Sequence, residues 1–337
     1  MADRFRLLDL NEDCVKTVLQ CFDGFDLISF SLCSKKRLAN VRSLKIHIYE
    51  LSLYCGTTFY ARFNFGESEV KLFFCEDGYD REIAESDFRP RRLQVDYIKG
   101  IVDDYQEPVT RHWRKTSFSG NDWLRHIISV FNCDEMTSFT FMDSKFEIDS
   151  LVDIVRNLNI SQTTIYQTVS KEHTMELLNA LPCVDHLSVG LWTLDEPSEF
   201  SILLRNQYSL SVRPQNEMTL DSVLSVNSLS LECFDLPVKD VNRFIKLWKK
   251  GANSRLRHLH VIFFANYAVP TALNENEVLR GVPYKRMPQG TVRLFEMSAD
   301  RVKIDGGFDI VGKSGRKATV TLKSGEIRSS FRMYIWL

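Results

Sequence analysis

Residues 5–45 read FRLLDLNEDCVKTVLQCFDGFDLISFSLCSKKRLANVRSLK, and their apolar side chains return at helical intervals. Val15, Val18, Leu19 and Phe22 share one face at i, i+3, i+4 and i+7. Asp23 and Gly24 should stop that helix, since glycine supplies the left-handed conformation a C-terminal cap uses. A second helix is expected from Asp26, whose carboxylate can cap free amides, carrying Leu27, Phe30, Ser31 and Leu32. Two short helices joined by a tight turn have too little chain for a closed core, so their apolar residues exceed what the pair can bury alone. Periodicity leaves two readings open: a hairpin packed on the rest of the chain, or a surface for a partner.

Past residue 46 the period changes. Leu44, Ile46 and Ile48 alternate with polar residues, as do Phe59, Ala61, Phe63 and Phe65, then Val70, Leu72 and Phe74. That pattern predicts half-buried strands, and Gly56 and the Gly66-Glu67-Ser68 stretch punctuate them as an antiparallel meander would. From Glu76 to about Gly120 the chain is polar, with RPRRL and RHWRK clusters, and is expected to be a long loop or boundary. Asp103 and Asp104 nearby favour reading those clusters as solvated faces over nucleic-acid contacts.

Short apolar strands then recur: Phe139–Phe141, Thr164-Ile165, Leu187–Val189, Leu210–Val212, Leu229–Leu231 and Leu259–Val261, at intervals of 19 to 30 residues. Candidate helices lie between several, including 150–157 and 171–181. Strand plus helix at this period predicts a leucine-rich-repeat-like body in which each unit buries its face against its neighbours. The best-marked helix is VKDVNRFIKLWKKG. Val241, Phe244, Ile245 and Trp248 form its stripe, Asp240 stands near its positive end, and Lys249, Lys250 and Gly251 close the other. Phe308–Val311, a GKSGRK turn, Ala318–Leu322 and Phe331–Trp336 read as closing antiparallel strands. The fold class is therefore mixed α+β and α/β. Three segments are expected: 5–46 helical, 47–120 antiparallel strands and a polar loop, and 121–337 the repeat-like body with its final hairpin.

Composition excludes several functions. Forty-three basic against 44 acidic residues give a net charge of -1, so no global field favours nucleic acid or an anionic membrane. No apolar run resembles a signal peptide or reaches the ~18 residues a bilayer span needs, which leads us to expect an intracellular chain, cytoplasmic or nuclear. Eight cysteines without a C-x-x-C pair suggest reduced thiols instead of a disulfide framework or zinc site. Gly307 to Ser314 satisfies the G-x-x-x-x-G-K-S phosphate-loop pattern, but a β-branched strand follows where a helix is required, so the hairpin reading is preferred. His258 and His260 share one face of a strand without a supporting ligand, and are expected to be surface histidines. No catalytic residue, cofactor or metal is expected.

The ordered identities in the first 46 residues resemble the F-box, particularly its nematode form. They are Leu8 and Leu10, Val18-Leu19, Phe22-Asp23, Asp26-Leu27 and the SLCSKK run from Ser31 to Lys36. Asn11 stands where that pattern usually has proline. Residues 220–261, with Asn242-Arg243-Phe244, Trp248, Gly251-Ala252-Asn253 and Arg255-Leu256, are similar to the F-box-associated region of the same families. The resemblance implies a substrate receptor of an SCF-type cullin ubiquitin ligase, without catalytic residues of its own. Its F-box would bind a Skp-type adaptor, and through it a cullin, by Leu8, Leu10, Val18, Leu19, Phe22, Leu27 and Phe30. Its C-terminal region would capture a target protein of unknown identity. The alternative is a repeat-type interaction scaffold without a ligase role. Neither reading calls for nucleic acid or a membrane.

Overall fold

The computed structural model describes residues 10–48, 50–65, 68–78, 91–103, 109–133, 136–142, 144, 146–156, 158–166, 169–181, 184–191, 201–214, 218–264, 273–297, 300–325 and 327–336. It divides into two compact units, residues 1–164 with 176–182 and residues 165–175 with 183–337.

The first unit opens with α1 (Glu12–Leu19), α2 (Gly24–Ser31) and α3 (Lys35–Ser43). Each starts on a side-chain cap. Asn11 Oδ1 accepts from the Cys14 amide at 2.8 Å, Asp23 Oδ1 from the Asp26 amide at 2.7 Å, and Ser34 Oγ from the Arg37 amide at 3.2 Å. The expected two helices are thus three, and Asp23-Gly24 begins the second instead of ending the first. Asn11, in place of proline, holds the first turn by capping it.

A seven-stranded arrangement follows in the order β7-β6-β1-β2-β3-β4-β5. Its strands are β1 (Leu51–Cys55), β2 (Phe59–Phe65), β3 (Ser68–Cys75), β4 (Tyr97–Asp103) and β5 (Val109–Arg114). After α4 (Gly120–Val130) come β6 (Met136–Phe141), α5 (Ile148–Val155) and β7 (Ile160–Ile165). β1 to β5 pair antiparallel in sequence order, while β1 pairs parallel with β6. The predicted meander is present over 59–75. Two expectations are corrected. Residues 44–48 form no strand, because Lys45 takes φ 50°, which breaks the extended backbone. Part of the supposed loop over 76–120 is β4 and β5, and α4 starts at its end.

The core joins these helices to the sheet. Phe25, Leu27 and Ile28 of α2 are buried with Leu53, Ala61 and Leu72 of the sheet and Trp123 and Ile127 of α4. Phe25 meets Trp113 edge to face at 5.2 Å, Trp113 Nε1 donates to Ser29 Oγ at 2.8 Å, and Arg111 pairs with Asp26 at 3.2 Å. At the centre of this contact Gly100 leaves room, since a Cβ there would lie 2.7 Å from both rings.

In chain order α6 (Lys171–Ala180), β8 (His186–Leu191), β9 (Ser209–Pro214), α7 (Leu220–Ser225), β10 (Ser230–Phe234), α8 (Val238–Lys249), β11 (His258–Phe264) and α9 (Glu275–Val278) follow. The chain closes with β12 (Lys285–Met297), β13 (Asp300–Val311), β14 (Lys317–Lys323) and β15 (Arg328–Ile335). In the second unit the strand order is β8-β9-β10-β11-β15-β14-β13-β12. β8 to β11 pair parallel, as strands linked by crossover helices must. β11 to β15 and the remaining neighbours pair antiparallel. Leu210, Val212, Leu231, Cys233, Leu259, Val261, Phe331 and Met333 are buried along one face, as is the Val241, Phe244, Ile245 and Trp248 stripe of α8. The closing hairpin is present. A single turn of 3-10 helix, Lys313–Gly315, links β13 to β14, so the phosphate-loop pattern spans a strand end and a hairpin turn.

Asparagines fasten several helix ends, where carbonyls lack partners in the helix itself. Asn121 Nδ2 donates to Ile154 O (2.6 Å) and Arg156 O (3.2 Å) at the end of α5. Asn242 Nδ2 serves Val278 O (2.8 Å) and Arg280 O (3.0 Å) after α9. Asn253 Nδ2 reaches Val223 O (3.1 Å) and Val226 O (3.5 Å) at the end of α7.

Candidate functional site

Of the seven positions predicted to face an adaptor, Leu8 lies outside the described residues. Leu19 and Leu27 are fully buried in the first unit's core, at 0% exposure. Leu10, Val18, Phe22 and Phe30 are half-buried, with part of each side chain open to solvent. Phe22 and Phe30, from the end of α1 and the last turn of α2, meet edge to face with centroids 6.0 Å apart. The Arg37 guanidinium lies 5.3 Å from the centre of the Phe30 ring. Arg37 was not foreseen, because a new cap at Ser34 separates it from the periodic stretch. The structure therefore sorts the six described positions into a buried pair that supports the helices and a partly open set of four that a partner could touch.

Directly behind these helices sits a polar pair. Ser31 Oγ donates to Ile28 O (2.7 Å) and lies 2.8 Å from His126 Nε2 of α4. Burial, with Lys115 adding to it, holds the His126 imidazole down to about 4.

In the second unit the alternate strand positions form a polar sheet face. The register sets Ser211, Glu232, His260 and Arg332 side by side on β9, β10, β11 and β15. His260 Nδ1 lies 2.8 Å from Glu232 Oε2, and Ser211 Oγ donates to Glu232 Oε1 at 3.1 Å. The His260 hydrogen bond is the main reason the Glu232 carboxyl titrates below its ordinary range. Two residues along, Ser230 Oγ lies 3.0 Å from His258 Nδ1. Burial, with the neighbouring His260 and Arg332, holds His258 down to about 3. The expectation of surface histidines is corrected. His258 is 6% and His260 7% exposed, and Phe295 of β12 packs against His258 and Tyr334.

Among the described residues no group of His, Cys, Asp or Glu is arranged to hold a metal ion, and no helix is long and apolar enough to cross a membrane. None of the seven described cysteines is joined in a disulfide.

Comparison with known proteins gives matches at both places. Residues 7–46 match the F-box domain family, and residues 200–261 match the family described as F-box associated. A Caenorhabditis elegans protein, F-box associated domain-containing protein sdz-33, is 25% identical over 146 residues, covering 43% of this chain and 45% of that relative. The match thus spans less than half of the relative's length. No solved structure matches the chain. α1 to α3 accordingly lie inside the stretch that matches the F-box domain family. β9, β10 and the first part of β11 lie inside the second match, so the chain is similar at both places to nematode-type proteins that join an F-box to an F-box-associated region.

Proposed function

We propose that this chain is the substrate-receptor subunit of an SCF-type cullin ubiquitin ligase. Its F-box binds a Skp-type adaptor and, through it, a cullin; its C-terminal unit captures a target protein. The chain performs no chemistry itself and works inside the cell, in cytoplasm or nucleus. Three roles divide it: 5–46 for the adaptor, 47–120 as the sheet that braces those helices, and 121–337 for the target. The last is read as leucine-rich-repeat-like, supported by the succession of parallel β9, β10 and β11 with α7 and α8 between them.

The observation that carries the proposal is the partly open Phe22, Phe30 and Arg37 cluster, with Leu10 and Val18, inside the stretch that matches the F-box family. Burying one such side chain contributes ~1.5 to 3 kcal/mol, so a few anchors can offset an association cost of ~4 to 15 kcal/mol. The test is co-expression with a Skp-type adaptor. The wild-type chain should co-purify with it, and Phe22→Asp with Phe30→Asp should abolish capture while the melting of the second unit is unchanged. A folded wild-type chain indifferent to the adaptor would sink the ligase reading and leave the interaction scaffold, a role that helices braced on their own sheet could equally serve.

A further inference from the structure

We infer that the polar face of β9, β10, β11 and β15 is the target-binding surface, and that it takes an acidic, extended peptide segment of the target. This deepens the proposed function and rests on it.

Charge is the first argument. Arg213 and Arg332 occupy this face on β9 and β15, and Arg328 stands opposite Phe264 at the edge of the same pairing. None of the three has a carboxylate partner among the described residues. The acid in their midst, Glu232, is engaged by His260 and Ser211. A chain of net charge -1 overall thus gathers three uncompensated arginines on one patch. Arginine favours carboxylates because its planar fork donates two parallel hydrogen bonds.

The second argument is unsatisfied polarity. Among the described residues His260 Nε2 and Arg332 Nε, on directly paired residues, are buried with no hydrogen-bond partner. A buried polar atom left unmade costs ~1 to 3 kcal/mol, so this pair of strands carries polar groups that their own packing does not satisfy.

The third is an apolar step beside the charges. Phe234 and Phe264 stack with centroids 5.7 Å apart and planes 2° from parallel, and the Arg213 guanidinium lies 4.6 Å from the Phe234 ring. Phe264 is 42% exposed, with the Arg213 guanidinium 5.8 Å from its ring centre and Arg328 opposite it on β15. An extended segment, whose side chains alternate, can set carboxylates toward the arginines and lay an apolar residue on Phe264. The patch lies largely on strands within the segment matched as F-box associated, with β15 added from beyond it.

The experiment uses the full chain, with and without a Skp-type adaptor, and fluorescein-labelled peptides, one with glutamates around a central leucine and a twin carrying lysines. The acidic peptide should bind by fluorescence anisotropy, weaken as salt rises, and lose at least about tenfold in affinity in Arg213→Ala with Arg332→Ala. Phe264→Ser, at an exposed position, should weaken binding without altering the melting profile. Equal binding of the lysine twin, or unchanged affinity in a folded arginine variant, overturns the inference. Failure of the ligase reading shows separately: the arginine variant should still capture the adaptor, and Phe22→Asp with Phe30→Asp should still bind the peptide.

Discussion

The ring of Phe25 stands edge-on to Trp113 at 5.2 Å, and the missing side chain of Gly100 is what lets the two rings meet the sheet together. Gly100→Ala would place a Cβ 2.7 Å from Phe25 Cε1 and from Trp113 Cζ3, inside any normal contact. Overpacking of this kind costs ~1 to 3 kcal/mol. Urea unfolding followed by tryptophan fluorescence should show a lower midpoint for the first unit, with the second unit's transition unmoved. A midpoint equal to wild type would mean that α2 is not seated on β4 as described.

Acid should loosen both units, through two histidines. His126 is held down to about 4 and His258 to about 3, chiefly by burial, from an unfolded value of 6.5. Below that value the unfolded chain takes up protons that the folded chain refuses. Their neutral burial is therefore fully tolerated above about pH 6.5, and stability falls as pH drops toward 4 and then 3. Each contributes a slope of about 1.4 kcal/mol per pH unit within its window. Unfolding free energies of wild type and His126→Gln across that window provide the measurement: the first unit's slope should flatten in the variant, and an unchanged slope assigns the effect elsewhere.

Asn242 should be a structural residue and not a contact for a target. Its amide donates to Val278 O and Arg280 O, and the residue is 7% exposed. Asn242→Asp would turn carboxylate oxygens toward both carbonyls, replacing two donated bonds with repulsion. We expect a loss of ~2 to 3 kcal/mol for Asp and less for Ala, read from the second unit's thermal transition. If Asp proves no worse than Ala, the clamp is not made.

The sequence made strands legible where one face is apolar and the other polar, as in Phe59, Ala61 and Phe63 of β2. β4 was not legible because Tyr97 to Val102 shows no clean alternation, with Lys99 on one face and Gly100 on the other, and the purpose of Gly100 appears only when Phe25 arrives from a distant helix. Gly24 was misread for a different reason. It opens α2 without a left-handed backbone, because Asp23 caps that helix, and a Cβ there would meet Phe65 at an ordinary 3.5 Å. Burial of His258 involves Phe295, which lies 37 positions further along the chain and leaves no local trace. Of the candidate site, helical period found the face but could not rank its members, since residues a turn apart look alike until the sheet buries Leu19 and Leu27 and leaves Phe22 and Phe30 at the edge.

That ranking gives the sharpest prediction about the F-box. Leu27 is fully buried against the first unit's core, so Leu27→Ala should cost ~2 to 5 kcal/mol and weaken adaptor capture only as far as it unfolds the helices. Phe30 is half-buried, with Phe22 and Arg37 packed on its ring, so Phe30→Ala should cost the first unit far less stability than Leu27→Ala yet remove most adaptor capture. Pull-down with a Skp-type adaptor beside circular-dichroism melting separates the two effects. Capture that follows stability alike in both variants would mean the open aromatic pair is not an anchor, and the adaptor would have to dock elsewhere on α1 to α3.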